Sequence, residues 1–208
     1  MSATTTAPRA RRLRDEDGFT IAEVLVAALI LTIGFLGVVS AFSSGRQLSL
    51  LSERRTAMSH RAQLELERLQ AKPYTELEMS AAPTHSPETS NPDYYVKSGT
   101  TPEYQYGSLG TETEPLVVAT TATSGMIAPS PSGRECSNSI GACEWKDGQM
   151  SGKVYDFVSW HTDGKCGSEC LASKNYKRLT VAVTLTTPSG ASTIAPTRVS
   201  TFRAEPAS

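Results

Sequence analysis

The sequence predicts an α+β fold, in which a long N-terminal α-helix with a transmembrane hydrophobic half packs on a small antiparallel β-sheet head bearing disulfide loops. Three observations lead there. Residues 24–42 run for 19 positions without a charge, VLVAALILTIGFLGVVSAF, and helix-like spacing of apolar residues continues beyond them. From Pro73 onward the chain turns to Thr, Ser, Gly and Pro, broken by short alternating apolar stretches. All four cysteines, Cys136, Cys143, Cys166 and Cys170, lie in that later part.

The averages conceal this division. At 208 residues with 38% hydrophobic, 20% charged and 7% aromatic content, the chain suits one domain or a domain with appendages. Lys and Arg number 20 against 21 Asp and Glu, a net charge of −1, so no global positive field favours nucleic acid as a partner. By segment the charge is +1 over residues 1–18, −1 over 19–44, +3 over 45–72 and −4 over 73–208.

The elements follow in order. Arg9, Arg11, Arg12 and Arg14 precede the apolar run, and no positive charge follows it until Arg46. That asymmetry predicts a cytoplasmic N-terminus and an exported body. The run itself would span roughly 28 Å as a helix, close to a bilayer core. Beyond it, Leu48, Leu51, Met58, Ala62, Leu66 and Leu69 recur at three- and four-residue spacing, the pattern of an amphipathic helix. Lys72-Pro73 should end that helix, giving one element from about Thr20 to Ala71 and about 75 to 80 Å long. Its arginines read as a solvated or locally paired face.

Residues 73–93 contain four prolines and read as an irregular connector. The head, residues 94–208, should hold strands near Tyr94–Val96, Leu116–Thr121, Val154–His161, Arg178–Thr186 and Arg198–Arg203. The clearest places Leu179, Val181, Val183 and Leu185 on one face, with Thr180, Ala182 and Thr184 opposite. Four cysteines in an exported, loop-rich region predict disulfides and an oxidising compartment. Three complete pairings are open, including local pairs Cys136 with Cys143 and Cys166 with Cys170. A zinc site recruiting His161 is the weaker reading, because the spacing lacks the paired C-x2-C pattern. His60 and His85 are scattered, and Asp163-Gly-Lys reads as a turn. No nucleotide-binding glycine loop or catalytic cluster is visible. The sequence therefore predicts no enzyme, cofactor, metal or small-molecule substrate.

The hydrophobic segment admits three readings. A conventional signal peptide could be cut after Val39-Ser40-Ala41, but its apolar stretch is longer than usual and Asp15-Glu16-Asp17 intrudes before it. A plain anchor explains the run and leaves Glu23 at its edge, where Thr20-Ile-Ala-Glu23 also fits a capping box. The third reading takes Gly18-Phe-Thr-Ile-Ala-Glu-Val-Leu-Val-Ala together. This stretch resembles the class III signal of type IV prepilins, and EVLVAALILTIGFLG is similar to PilV-type minor pilins and type II secretion pseudopilins.

The resemblance implies cleavage between Gly18 and Phe19, N-methylation of Phe19, and Glu23 as the fifth mature residue, pairing with a neighbouring subunit's N-terminal amine. Its partners would be a prepilin peptidase and N-methyltransferase, other major and minor pilins, the pilus assembly platform and the cytoplasmic membrane. The leader would be residues 1–18 and the transmembrane and assembly helix 19–42, continued by the amphipathic helix 43–72. An acidic residue, Asp17, stands immediately before the cut, where many family leaders place a basic one nearby. The segment also lacks the helix-kinking proline common in major pilins, so any local unwinding or close packing would fall to Gly34 and Gly37. The resemblance is strong over residues 18–42 and weak beyond. The alternative from another class is a membrane-anchored exported binding protein that never polymerises.

Overall fold

The computed structural model describes residues 19–97, 99–106, 112–122, 125–131, 135–136, 141–161, 176–186 and 194–205. The chain divides into two units, Met1–Ser49 and Leu50–Ser208. Helix α1, Ile21–Gln70, begins in the first and ends in the second, within a residue of both predicted ends.

In the first unit every described residue is exposed. The helix there is long and apolar enough to cross a membrane. Thr32, one of the two hydroxyl residues of the 24–42 run, donates from Oγ1 to the Ala28 carbonyl at 2.7 Å. Its hydroxyl is thereby satisfied within the helix, as a lipid environment demands. α1 continues unbroken through Gly34 and Gly37, where an added Cβ would meet nothing within 4 Å.

In the second unit α1 turns amphipathic and buries Met58, Ala62, Glu65 and Leu69, a stripe at spacings of four, three and four residues. The stripe belongs to one buried cluster with the larger of two antiparallel sheets. That sheet has the order β4-β5-β6-β7, formed by Cys143–Asp147, Met150–His161, Tyr176–Leu185 and Thr197–Ala204. In its register Val154 faces Val183, Asp156 faces Val181 and Val158 faces Leu179, so these six share the face turned to α1.

The opposite face, with Tyr155, Phe157, Ser159, Thr180 and Ala182, is covered by a second, three-stranded sheet. Its strands β1 (Val96–Lys97), β2 (Glu103–Gln105) and β3 (Thr113–Pro115) run in that order. Val96 pairs with Tyr104, and Tyr104 with Glu114, which lines up three buried side chains across the sheet. Tyr104 stacks on Phe157 with ring centroids 4.4 Å apart. This second layer explains why Thr180 and Ala182 are buried although their alternation marks them as the less apolar face.

Several predicted strands change. Tyr94 and Tyr95 belong to a 3-10 turn, Pro92–Tyr95, which Asn91 caps by accepting from the Asp93 N–H at 3.0 Å. Only Val96 of that stretch is extended, because Pro92 and the Asn91 cap fix a turn first. The strand expected over Leu116–Thr121 lies just ahead of it, as β3. Leu116 and Val117 instead dock where β4 has ended, with Leu116 bridging Ser159 and the Val117 N–H donating to the Val158 carbonyl at 2.8 Å. The connector is irregular, yet it buries Leu77 and Met79, and Met79 bridges both Val118 and Ile127.

Cys136 and Cys143 form a disulfide. Cys166, Cys170 and the turn Asp163-Gly-Lys lie outside the described residues.

Candidate functional site

The assembly residues expected from sequence stand at the start of α1. Gly18 lies outside the described residues. Phe19 is 82% exposed and, with Thr20, precedes the first helical turn. The Thr20 Oγ1 accepts from the Glu23 N–H at 3.3 Å, and the Thr20 carbonyl accepts from the N–H groups of Glu23 and Val24 at 3.0 and 3.2 Å. Thr20 thus supplies its half of the predicted capping box, while the reciprocal bond from the Glu23 carboxylate is not formed among the described residues. The carboxylate of Glu23 is exposed and makes no hydrogen bond or ion pair among the described residues. It is the one ionisable side chain between Phe19 and Gly45. Its sign suits the positive end of the helix dipole, while the cap leaves its oxygens uncommitted.

Around it the surface is apolar. Ile21, Val24, Leu25, Leu29, Ile30 and Phe35 are all exposed. A soluble helix does not present such a surface to water, so these side chains require lipid or other helices as neighbours.

The second unit holds two polar clusters that the sequence reading did not assemble. In the first, Arg61, Glu65 and Arg68 of α1 meet Asp156 of β5. Arg68 donates to Glu65 at 3.1 Å and also to the Cys136 carbonyl, while Arg61 lies 3.6 Å from the Glu65 carboxylate. Asp156 is fully buried, and neither of its oxygens has a hydrogen-bond partner among the described residues. Burial pushes the Asp156 carboxyl well above the ordinary range and the Glu65 charge adds to this, while Arg61 and Arg68 act against it. Burial likewise raises Glu65 and lowers Arg61. Such a cluster fixes the position of helix on sheet more than it strengthens the contact. Two signals in the sequence mark it. Glu65 completes the 58-62-65-69 stripe, and Asp156 is the lone acid in the run Val-Tyr-Asp-Phe-Val.

The second cluster ties β3 to the main sheet. Buried Glu114 accepts from the Ser159 hydroxyl at 2.5 Å and from the Arg178 Nε at 3.2 and 3.0 Å, and its Oε1 lies 2.5 Å from the His161 Nδ1. His161, considered above for zinc, is therefore engaged by a carboxylate. Ser159 is bonded to the acid and not to the histidine, which is not the order of a nucleophilic triad. His85 Nδ1 is 2.7 Å from the Val96 carbonyl, and His60 is exposed on α1, so the three histidines serve separate places.

No protein-family model matches this chain, and neither a curated protein nor a solved structure is detectably similar to it.

Proposed function

We propose that this protein is a minor type IV pilin or pseudopilin, a structural subunit cut between Gly18 and Phe19 and built into a filament or its initiating complex through α1. The observation that carries this reading is Glu23. It lies four residues after the prospective new N-terminus, on a capped first turn, without a partner among the described residues and surrounded by exposed apolar side chains.

The physical logic is a division of labour. Before processing, the leader arginines hold the N-terminus at the cytoplasmic side and the apolar helix rests in the bilayer. Cleavage removes four positive charges and creates an amine one helical turn from Glu23. In the filament the apolar side chains supply cohesion. Glu23 supplies register by pairing with a neighbour's amine, since a lone buried carboxylate is strongly disfavoured and a paired one is tolerated. The second unit would then be carried outside the membrane, in the oxidising setting that its disulfide suits.

N-terminal mass spectrometry of the protein extracted from its native membrane tests the reading. N-methylated Phe19 is the expected terminus. An intact leader would point to a simple anchor, and a terminus at Phe42 to conventional secretion; either result overturns the proposal.

A further inference from the structure

Between the small sheet and the last strands of the large one lies a cavity of about 280 Å³, lined by Tyr104, Tyr106, Arg178, Thr180, Arg198 and Ser200 among others. Its two guanidinium groups are fixed by stacking. Arg178 sits 4.0 Å from the Tyr106 ring and 4.5 Å from that of Phe202, and Arg198 sits 4.1 Å from the Tyr95 ring. Stacking occupies the planar faces of a guanidinium and leaves its edge, where the N–H donors are, for an in-plane acceptor.

The two charges are not equivalent. Glu114 accepts from Arg178 through both carboxylate oxygens and neutralises it. Arg198 has no carboxylate partner among the described residues. The nearby acid Asp93, whose charge reaches Tyr104, bonds through its side chain to Ser130 instead. Arg198 thus keeps a charge that no acid among the described residues matches, and it is exposed on β7, where water hydrates it.

Two hydroxyls of the lining are also uncommitted. Thr180 Oγ1 and the Tyr104 OH belong to residues 4% and 0% exposed, and neither has a hydrogen-bond partner among the described residues. Arg198 lies next to the Tyr104 hydroxyl, but no well-formed hydrogen bond closes between them. Buried hydroxyls are ordinarily paired, so two with no partner among the described residues, beside a solvent-facing guanidinium, mark a place where an acceptor can take the place of water.

We propose that this cavity binds the carboxylate group of a small organic acid, with Arg198 supplying the charge and the hydroxyls of Thr180, Tyr104 and Ser200 the remaining hydrogen bonds. A fork of guanidinium donors matches a carboxylate in geometry, and a single unmatched charge matches a monoanion better than a phosphate dianion. The volume falls just below the roughly 300 to 1,000 Å³ of drug-sized sites, which limits the ligand to about one sugar or amino acid in size.

The test is calorimetric titration of the full-length protein in detergent micelles with glucuronate, acetate, glucose and inorganic phosphate. Saturable binding of the two carboxylates is expected, with none of glucose and weaker binding of phosphate. Arg198→Gln should weaken glucuronate binding by about tenfold or more, the usual consequence of losing a charged hydrogen-bond donor. Thr180→Val should weaken it as well, while raising the melting temperature of the ligand-free protein by removing an unpaired buried hydroxyl. The proposal is overturned if neither carboxylate saturates, if glucose or phosphate binds as tightly as glucuronate, or if Arg198→Gln binds undiminished. Should Arg198→Gln fail to fold for want of its stack on Tyr95, the valine variant decides, and unchanged binding by it also overturns the proposal.

Discussion

Glu23 and Asp156 are both acids set among apolar side chains, and they differ in what is available to answer their charge. Glu23 is exposed and has no partner among the described residues, which leaves it free to pair with a neighbouring subunit in the proposed filament. Glu23→Val should leave membrane insertion intact, since it makes the helix more apolar. If α1 assembles as proposed, it should lower incorporation into filaments by about tenfold or more, because a neighbour's amine would be buried unpaired. Quantifying the variant in sheared filament and membrane fractions checks this, and wild-type incorporation would remove Glu23 from the assembly argument. Asp156 is already buried, between Glu65 and two arginines. Its raised pKa means that the folded chain keeps a proton which the unfolded chain, with Asp near 3.9, has lost. Stability is then greatest on the acid side of that window and falls as pH rises from the ordinary carboxylate range toward the folded value. Asp93 acts with the same sign from 3.8 up to about 6. The rest of the falling slope from raised carboxyls belongs to Asp156 with Glu65, both pushed up by burial. Asp156→Asn, which keeps the shape of the protonated acid and cannot ionise, should reduce that slope. Urea unfolding across a pH series measures it, and an unaltered slope would mean that the arginines hold Asp156 ionised.

At the level of elements, β4 and β5 form a hairpin whose tightest point is Gly152. Gly152 pairs with Trp145 on one side and Leu185 on the other, and the Trp145 Nε1 donates across it to the Thr184 carbonyl at 3.3 Å. A Cβ at Gly152 would overlap the Thr184 carbonyl oxygen and stand 2.7 Å from that indole nitrogen. Gly152→Ala should therefore cost at least about 2 kcal/mol, through displaced backbone and a lost hydrogen bond. A denaturant midpoint indistinguishable from wild type would contradict this close approach. The same hairpin shows what was legible in the sequence. β6 could be read because seven of its ten residues, Leu179 to Leu185, alternate cleanly, and α1 because its apolar spacing persists until Lys72-Pro73. β4 alternates too, with Cys143 and Trp145 buried and Glu144 and Lys146 exposed, but over five residues with three charges the pattern is short. Its stronger mark was Asp147-Gly148, where Gly148 takes a φ of +57° in the two-residue turn before Met150. β2 and β3 are three residues each, and no local pattern of that length identifies a strand. The carboxylate cavity was equally hidden, since Tyr104, Thr180 and Arg198 come from three separate strands and only the register brings them together.

For the whole molecule, the charge of each part follows its neighbours. An uncharged helical surface needs lipid or protein around it, whereas the second unit closes its own core. That core draws on α1 only from Met58 onward, through Met58, Ala62 and Leu69, and no described residue from Phe19 to Ser49 is buried. Two truncations separate these contributions. A chain beginning at Leu50 keeps every buried residue of α1 and should remain soluble without detergent. Its melting temperature should match that of the full-length protein in micelles to within a few degrees. A chain beginning at Ala71 loses the stripe that covers Val154, Val158, Leu179 and Val181, and it leaves Asp156 without Arg61 or Arg68. Removing several such side chains costs about 2 to 5 kcal/mol each, more than the whole stability of a typical domain, so this shorter chain should not fold. Circular dichroism with a thermal scan distinguishes the outcomes. Cooperative melting of the shorter chain would show that the sheets close without α1, and failure of the longer one would place essential contacts before Leu50.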